Sequence, residues 1–425
     1  MRRVKTGVVV LAGGIFLMVA CTSGFAIESA QVLPKGLWNA ALTGNHYFPI
    51  KERFNPDGDA EDVAKYFNAN LNSNVFPQLS ALDNAFFGGV QGTATIGTSE
   101  VSFQYEATEL KLSIQYGVTD RFTAGILVPY QWLKTNVKQV NLNTANATVG
   151  TNPGFGGPGP LGGVPLIPIA AGGVPLTTAD AQGLLGPGLT INGVLVPGTG
   201  LGYRPIETWQ DSGFGDIQVG GRYQYLSTED WQLAFTGGVQ FPTGKTEDPT
   251  NLVDLGFGTG CYALLFRFNN DYKGIKDLVL DATFKIDYYL PGHVEKRVTD
   301  VQHPLTSPDN QEKVDITIGT TYEINLGGTY GFAKGWNIAP AYVYSWRNQN
   351  KVSGDKNLNY DALEENTDWS YQQVMIDLTY STIPLFREKR FFAPFTATLH
   401  YENVFAGKNY FLKQQAIGFV LTAYF

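Results

Sequence analysis

The sequence predicts an all-β fold: a transmembrane antiparallel β-barrel of about twelve strands, within a range of roughly 10–14, with short periplasmic turns and long surface loops. Three observations predict it. The chain closes on an alternating segment, Gln414 to Phe425, in which Ile417, Phe419, Leu421, Ala423 and Phe425 share one wholly apolar face. Hydrophobic residues make up 43% of the chain and charged residues only 16%, yet past the first 26 residues no run of apolar residues is long enough for a membrane helix. Finally, the connections between strand candidates alternate short and long, as a barrel with one periplasmic and one outer rim requires.

Taken in chain order, the first element is a signal peptide, 1–26. Arg2, Arg3 and Lys5 form its basic start, and Val8 to Ala20 its short apolar core. Gly24-Phe25-Ala26 supplies small residues for cleavage before Ile27. Met18-Val19-Ala20-Cys21 is a looser lipobox and the alternative site. If Cys21 leaves with the signal, Cys261 remains alone and no internal disulfide is available. Loss of the three basic residues takes the formal charge from −8 to −11, which excludes nucleic acid as a partner.

Residues 27–425 form the barrel, with 49–99 and 138–212 as long surface loops or a partial plug. The clearest strands are 122–132, 231–241, 278–290, 314–326, 336–346 and 374–380. Further candidates lie at 36–48, 100–116, 213–226, 254–269, 391–402 and 414–425. In the strand from Ser99 the apolar phase changes from Val101, Phe103 and Tyr105 to Leu110, Leu112, Ile114 and Tyr116, which predicts a bulge near Thr108. Trp132, Trp231, Trp336, Trp346, Tyr288, Tyr289 and Tyr380 gather toward strand ends, as interfacial girdles do. With both ends in the periplasm, the turns are 117–120, 227–230, 269–276, 327–335 and 384–389. The opposite rim takes 49–99, 138–212, 242–253, 291–311, 348–368 and 403–412.

Two surface segments stand out. Residues 151–205 are rich in Gly and Pro and repeat Gly-Gly-Val-Pro-Leu at 162–166 and 172–176. This composition favours a flexible loop; an inward fold over the pore mouth is the alternative. Val63, Tyr66, Phe67 and Leu71 share a helical face, predicting a short amphipathic helix at 59–71 that plugs the barrel or lies on its rim.

The polar strand phases carry Arg121, Asp216, Arg222, Asp281, Lys285, Asp287, Glu323, Arg347 and Asp377. On the lipid face each charge costs about 2–4 kcal/mol at midplane, so all nine are expected to line the lumen. Either they set selectivity or they neutralise one another as a filling network. His400 near Glu402 lacks a serine at supporting spacing, so no catalytic site is predicted and the protein is not expected to be an enzyme. Asp57, Asp59 and Glu61 alternate like calcium ligands, but Asp62 stands where glycine is needed, so neither metal nor cofactor is predicted.

Leu112-Ser-Ile-Gln-Tyr-Gly-Val-Thr-Asp-Arg-Phe-Thr-Ala-Gly-Ile-Leu-Val-Pro-Tyr130 is similar to the outer-membrane family named for the meta-pathway of phenol degradation. Gly213-Phe-Gly-Asp216 resembles that family's Gly-x-Gly-Asp strand start, and Phe241-Pro-Thr-Gly244 its Pro-Thr-Gly strand end. The resemblance covers about 100–425, and the long 138–212 insertion departs from it. It implies an outer-membrane channel of a Gram-negative bacterium that passes small hydrophobic or aromatic compounds passively. A general porin for polar solutes and a structural or adhesive barrel displaying 138–212 are the alternatives. The partners expected are outer-membrane lipid, a small-molecule solute and the barrel assembly machinery, engaged through the terminal strand and Phe425. The oligomeric state stays open.

Overall fold

The computed structural model describes residues 29–299 and 304–425. The predicted signal peptide and Cys21 fall outside these residues. Twelve antiparallel strands close into a barrel: β1 (Trp38–Ile50), β2 (Thr95–Thr119), β3 (Phe122–Asn143), β4 (Ile217–Ser227), β5 (Trp231–Phe241), β6 (Ala263–Ile275), β7 (Leu278–Tyr289), β8 (Thr321–Ala333), β9 (Trp336–Arg347), β10 (Trp369–Ser381), β11 (Phe395–Lys408) and β12 (Gln415–Tyr424). Each pairs with its sequence neighbour, and β1 pairs with β12 from Asn39↔Tyr424 to Tyr47↔Ala416, so no edge is left open among the wall strands. The predicted fold class is borne out.

The lipid face follows the predicted phases. Leu112, Ile126, Val219, Phe268, Leu280, Ile324, Ile376, Leu399 and Phe419 all stand exposed on the outside. Around the periplasmic rim three cross-strand pairs recur, Trp38–Tyr116, Trp231–Tyr272 and Trp336–Tyr380, with ring centroids 4.6, 4.7 and 4.9 Å apart. The tryptophans open β1, β5 and β9, every fourth strand of twelve, so the anchors are evenly spaced around the rim. Tyr130, Trp132 and Phe214 cluster at the outer rim.

Between these levels the phase change on β2 finds its explanation. No extra residue enters β2 at Thr108: on β3 its register shifts only at Ser102/Phe103 and Gly117/Thr119, and the irregularity next to Thr108 lies in β1, where Tyr47 pairs with Ala107 and Ile50 with Tyr105. Val101, Phe103, Tyr105, Ala107, Glu109 and Lys111 all point inward and are buried. What changes is the surroundings. Below Thr108 the outside is lipid, so Leu110, Leu112 and Ile114 face out. Above it the outside is water, and the inside meets protein. Ser102, Gln104 and Glu106 therefore face out, with Glu106 accepting from Asn136 on β3 at 2.8 Å and pairing with Lys134 at 3.4 Å. The eight steps from Thr108 to Tyr116 span roughly 26 Å along the strand at ~3.3 Å each. At a tilt of about 40° that is roughly 20 Å of bilayer, close to the apolar band of such barrels.

Several predicted boundaries need correction. The alternation over 314–326 covers two elements. Gln311–Thr317 pairs with Gly292–Arg297 and Lys351–Ser353 in a three-stranded sheet above the rim, and β8 begins only at Thr321. The strand read at 254–269 is a loop to residue 262, then β6. Strand ends move accordingly, and the turns tighten to Lys276-Asp277 and Lys334-Gly335. Gly335, at φ +78°, adopts the left-handed backbone that this hairpin requires. The turn after β10 is longer than expected and holds a short helix, Ile383–Arg387.

The surface segments also differ from expectation. No helix forms over 59–71. That stretch runs as a strand at Ala60–Asp62, a 3-10 turn at Lys65–Phe67 and a short strand at Asn70–Asn72. Tertiary bonds outweigh helical propensity here: the Asn68 amide pairs with the Val101 backbone at 2.6 and 2.9 Å, and Val63 and Ala64 bury against Val101 and Phe103. Instead, helices form at Ser80–Phe86 (α1) and Thr178–Leu185 (α2). The Gly- and Pro-rich segment is folded. A Thr177–Asp180 capping box starts α2, and Leu166, Leu176, Leu184, Leu189, Val196 and Leu201 bury with Phe76, Leu79 and Ile96 in one core. Residues 51–94 and 144–208 together form a cap on the outer rim.

Candidate channel interior and surface cap

Inside the barrel the inward phases carry far more polar groups than a soluble core tolerates. A chamber of about 510 Å³ lies between β1–β8. Lys111, Arg222, Arg267, Lys285, Asp287 and Glu323 stand on its wall. Cross-strand register pairs them. Arg267 on β6 faces Lys285 on β7 in the ladder, but it turns to Asp287 at 2.5 Å. Lys285 meets its ladder partner Glu323 at 2.9 Å, and Lys111 meets Glu109 at 2.7 Å. Arg222 donates to Thr236 on β5 at 3.0 Å. These contacts satisfy the charges while leaving open space between them.

The nine predicted lumen residues thus divide. Arg222, Lys285, Asp287 and Glu323 share the chamber. Asp281 is buried nearer the periplasm, in register with Asp271. Asp377 lies across the barrel, where its carboxylate accepts from His400 at 2.5 Å while Glu402 holds the other ring nitrogen at 3.3 Å. Both nitrogens of His400 are therefore committed to carboxylates. Arg347, at the outer end of β9, donates to the Thr367 carbonyl at 2.7 Å and lies 5.2 Å from the Trp369 ring. Arg121 is corrected: it sits in the β2–β3 turn, exposed at the periplasmic rim, where no lipid penalty acts. Asp216 is corrected as well. It lies above β4 as a structural tie, accepting from Gly244 N (3.0 Å), Thr259 N (2.8 Å), Thr259 Oγ1 (2.9 Å) and Gln240 (3.1 Å).

That tie explains two of the motifs singled out in the sequence. Pro129 brings no N–H to the wall, and the strand opposite breaks between Trp209–Phe214 and β4. Thr243 Oγ1 spans the break by donating to Gly215 O at 2.8 Å and accepting from Ile217 N at 3.0 Å. The Gly-x-Gly-Asp and Pro-Thr-Gly segments are two halves of one hydrogen-bonded joint.

The lumen candidates read from the sequence omit Glu109, Lys111, Arg267 and Asp271, and Asp271 has the furthest consequences. Residues 29–37 run into the periplasmic end of the barrel. Asp271 accepts from Ser29 Oγ at 2.6 Å and from Ala30 N at 2.9 and 3.0 Å. Gln224 donates to Ala30 O at 3.0 Å, and Leu33 N donates to Thr123 Oγ1 at 2.7 Å. Gly117 admits this segment: a Cβ there would stand 2.0 Å from Pro34 O. Ser29, Gln31, Val32 and Leu33 form the chamber's floor.

The outer end is closed differently. The loop from 242 to 262 bends inward and buries Val253, Leu255 and Phe257, the latter two against Phe103, Tyr105 and Leu133. Thr135 on β3 holds it by donating to Val253 O at 2.6 Å. Asp254 sits in this loop with its carboxyl pushed up to about 6, first by burial and then by the nearby Asp248 charge. Above the loop, an apolar cavity of about 70 Å³ opens within the cap, among Phe67, Val75, Leu142, Ala181, Leu185 and Ile206.

Residues 171–362 match the family model described as "Putative MetA-pathway of phenol degradation". The family resemblance read in the sequence is borne out. No curated protein matches the chain in sequence. Among solved structures, an outer-membrane channel from Pseudomonas putida F1 is 11% identical, covers 94% of this chain and 99% of its own, and superposes with a TM-score of 0.51. At that identity the likeness shows the fold, and the fold is that of an outer-membrane barrel. The toluene transporters TbuX of Ralstonia pickettii and TodX of Pseudomonas putida are each 10% identical. They cover 94% and 92% of this chain and 92% and 90% of their own, with TM-scores of 0.36 and 0.35, too low to carry an argument. A closed barrel with this lipid face and these girdles places the protein in the Gram-negative outer membrane.

Proposed function

We propose that this protein is a passive outer-membrane channel for small hydrophobic or aromatic solutes. The observation that carries the reading is the inversion on β2 and β3. The upper inner wall, Val101, Phe103, Tyr105, Ala107 and Leu133, is apolar and roofed by a folded cap. A general porin mouth needs water there. Solutes that leave lipopolysaccharide or water for an apolar entrance gain about 25 cal/mol for each Å² they bury. Below it, paired charges keep the chamber polar without a large net field.

A second reading, a diffusion pore for small polar solutes, draws support from the charged chamber itself. The two separate in reconstituted bilayers and in cells. The hydrophobic channel should raise accumulation of labelled toluene in cells that express it and show only small, intermittent conductance in potassium chloride. A large steady conductance, or arabinose-driven swelling of liposomes, would establish the polar pore and end the first reading. A surface-display role for the cap predicts a third pattern: deleting 144–208 abolishes surface binding and leaves uptake intact.

A further inference from the structure

The cap cavity is assembled from parts that have no neighbours in sequence. Phe67 and Val75 come from the first long connection, Leu142 from β3, Ala181 and Leu185 from α2, and Ile206 from the return to the wall. Leu252 and Leu305 add walls from two further connections. Its volume of about 70 Å³ exceeds the ~10–15 Å³ that one water needs, so it is large for a packing defect. Water has little to hold there, because Ser99, Thr178 and Gln182 at the wall are already committed. Ser99 donates to Phe67 O at 2.7 Å, and Thr178 accepts from Leu142 N at 3.1 Å. Gln182 grips both backbone groups of Ile206, donating at 3.4 Å and accepting at 3.1 Å. Among the described residues, no charged side chain lines the cavity.

From this we infer that the cap cavity is a binding site for one small apolar molecule without a polar head group, of the size of a single aromatic ring. The inference rests on the channel reading above and names where its solute is first captured. The class follows from the lining. A carboxylate or phenolate would lose its hydration and meet no cation. A long acyl chain exceeds the volume. An uncharged ring replaces empty space with contacts to leucine, valine and phenylalanine side chains. The committed polar groups are what hold the cavity open: Gln182 fixes the strap at Ile206 to α2, and the capping box fixes the start of α2.

The test uses the full chain in nanodiscs and labelled toluene in equilibrium dialysis, with empty nanodiscs subtracted. A saturable excess of one toluene per protein is expected, unaffected by excess benzoate. Ala181→Leu, which fills the cavity, should remove at least nine-tenths of that excess. Leu252→Ala, which enlarges it, should retain toluene and raise naphthalene binding several-fold, so a misfolded Ala181→Leu would not shield the idea. Absence of a saturable excess, unchanged binding in Ala181→Leu, or competition by benzoate would overturn the site. Cellular uptake separates the two claims. Toluene uptake that persists in Ala181→Leu after binding is lost leaves the channel standing and removes the site from its path. Binding by a native protein that supports no uptake keeps the site and removes the channel.

Discussion

Asp271→Ala should release the segment that floors the chamber. The wild-type carboxylate receives two donors from that segment, Ser29 Oγ and Ala30 N. Hydrogen bonds to a charged group contribute about 1.5–3 kcal/mol each where the group is buried, and Asp271 is 1% exposed. Water replaces part of this once the segment lifts, so the lower end is appropriate, about 2–3 kcal/mol for both. That shifts the docked-to-lifted ratio by roughly 30- to 150-fold. The wall itself should not suffer, because removing Asp271 also relieves Asp281, its register partner. Gly36 stays tied to Gly117 O at 2.7 Å, so only the tip moves. The assay is maleimide labelling of Val32→Cys, with Cys261 buried and silent. When lifting is fast and rare, the labelling rate follows the lifted population. Labelling in the Asp271→Ala background should accelerate about 30-fold or more, with a matching rise in open-channel events in bilayers. Asp271→Asn, which keeps an acceptor, should fall between. Equal labelling rates in all three backgrounds would refute the reasoning, since the segment would then be held by something other than this carboxylate.

Three further outcomes follow from the same geometry. Leu112→Arg faces lipid and should cost about 2–4 kcal/mol in folding titrations into vesicles, whereas Gln104→Arg, on the same outer phase but above the Thr108 boundary, should cost under about 1 kcal/mol; equal costs would abolish that boundary. Asp254 has its folded pKa raised above its unfolded value, so burial favours the protonated loop: the 242–262 plug should be tightest at pH 5 and loosen as pH rises through about 6, read as cleavage at Lys245 by protease. Asp254→Asn should remove that dependence. Deleting Phe425 removes the two hydrogen bonds it exchanges with Trp38, at 2.7 and 3.0 Å, and should lower the fraction of folded, heat-modifiable barrel without changing conductance per folded channel.

The period of two carried most of the wall, because lipid on one side and a polar lumen on the other force it. It failed where a third environment entered. Val101 to Tyr105 kept the strand phase but exchanged solvents, and one exchange of solvents looks the same in sequence as one inserted residue. Val253, Leu255 and Phe257 alternate like a wall strand, yet they bury against the inside of the wall. Ile316 and Ile318 run without a break into β8, although the first belongs to a small sheet above the rim. The charges followed the strands: Lys285, Asp287 and Glu323 sat on clean alternations, while misplacing β6 hid Arg267 and Asp271. Glu109 and Lys111 were legible, since they alternate with Leu110 and Leu112. The floor at Ser29–Gly36 was not, because nothing in those residues encodes a contact with a carboxylate some 240 positions away. The cap core was obscured by glycine and proline, whose abundance resembles a linker until the spaced leucines are counted.

The barrel offers two independent measures of where the membrane ends. One is the girdle at Tyr130 and Trp132; the other is the solvent exchange at Thr108, the register partner of Trp132. Their agreement fixes the charged chamber inside the bilayer and the apolar cavity outside it. A ring that leaves the cavity for the chamber gives up apolar contacts on most of its surface, a loss of several kcal/mol at about 25 cal/mol per Å². On the proposed reading, capture above and crossing below therefore oppose each other. A tighter cavity slows release into the chamber as much as it speeds loading from outside. If the proposed channel and site both hold, flux should be highest when the cavity binds weakly, with the limiting step at the plug of Leu255 and Phe257 or at the floor held by Asp271. Mutations in the cap should then shift the solute concentration at half-maximal uptake, while mutations at Asp271 should shift the maximal rate. If cap and floor variants changed the same parameter, the two closures would not act in series.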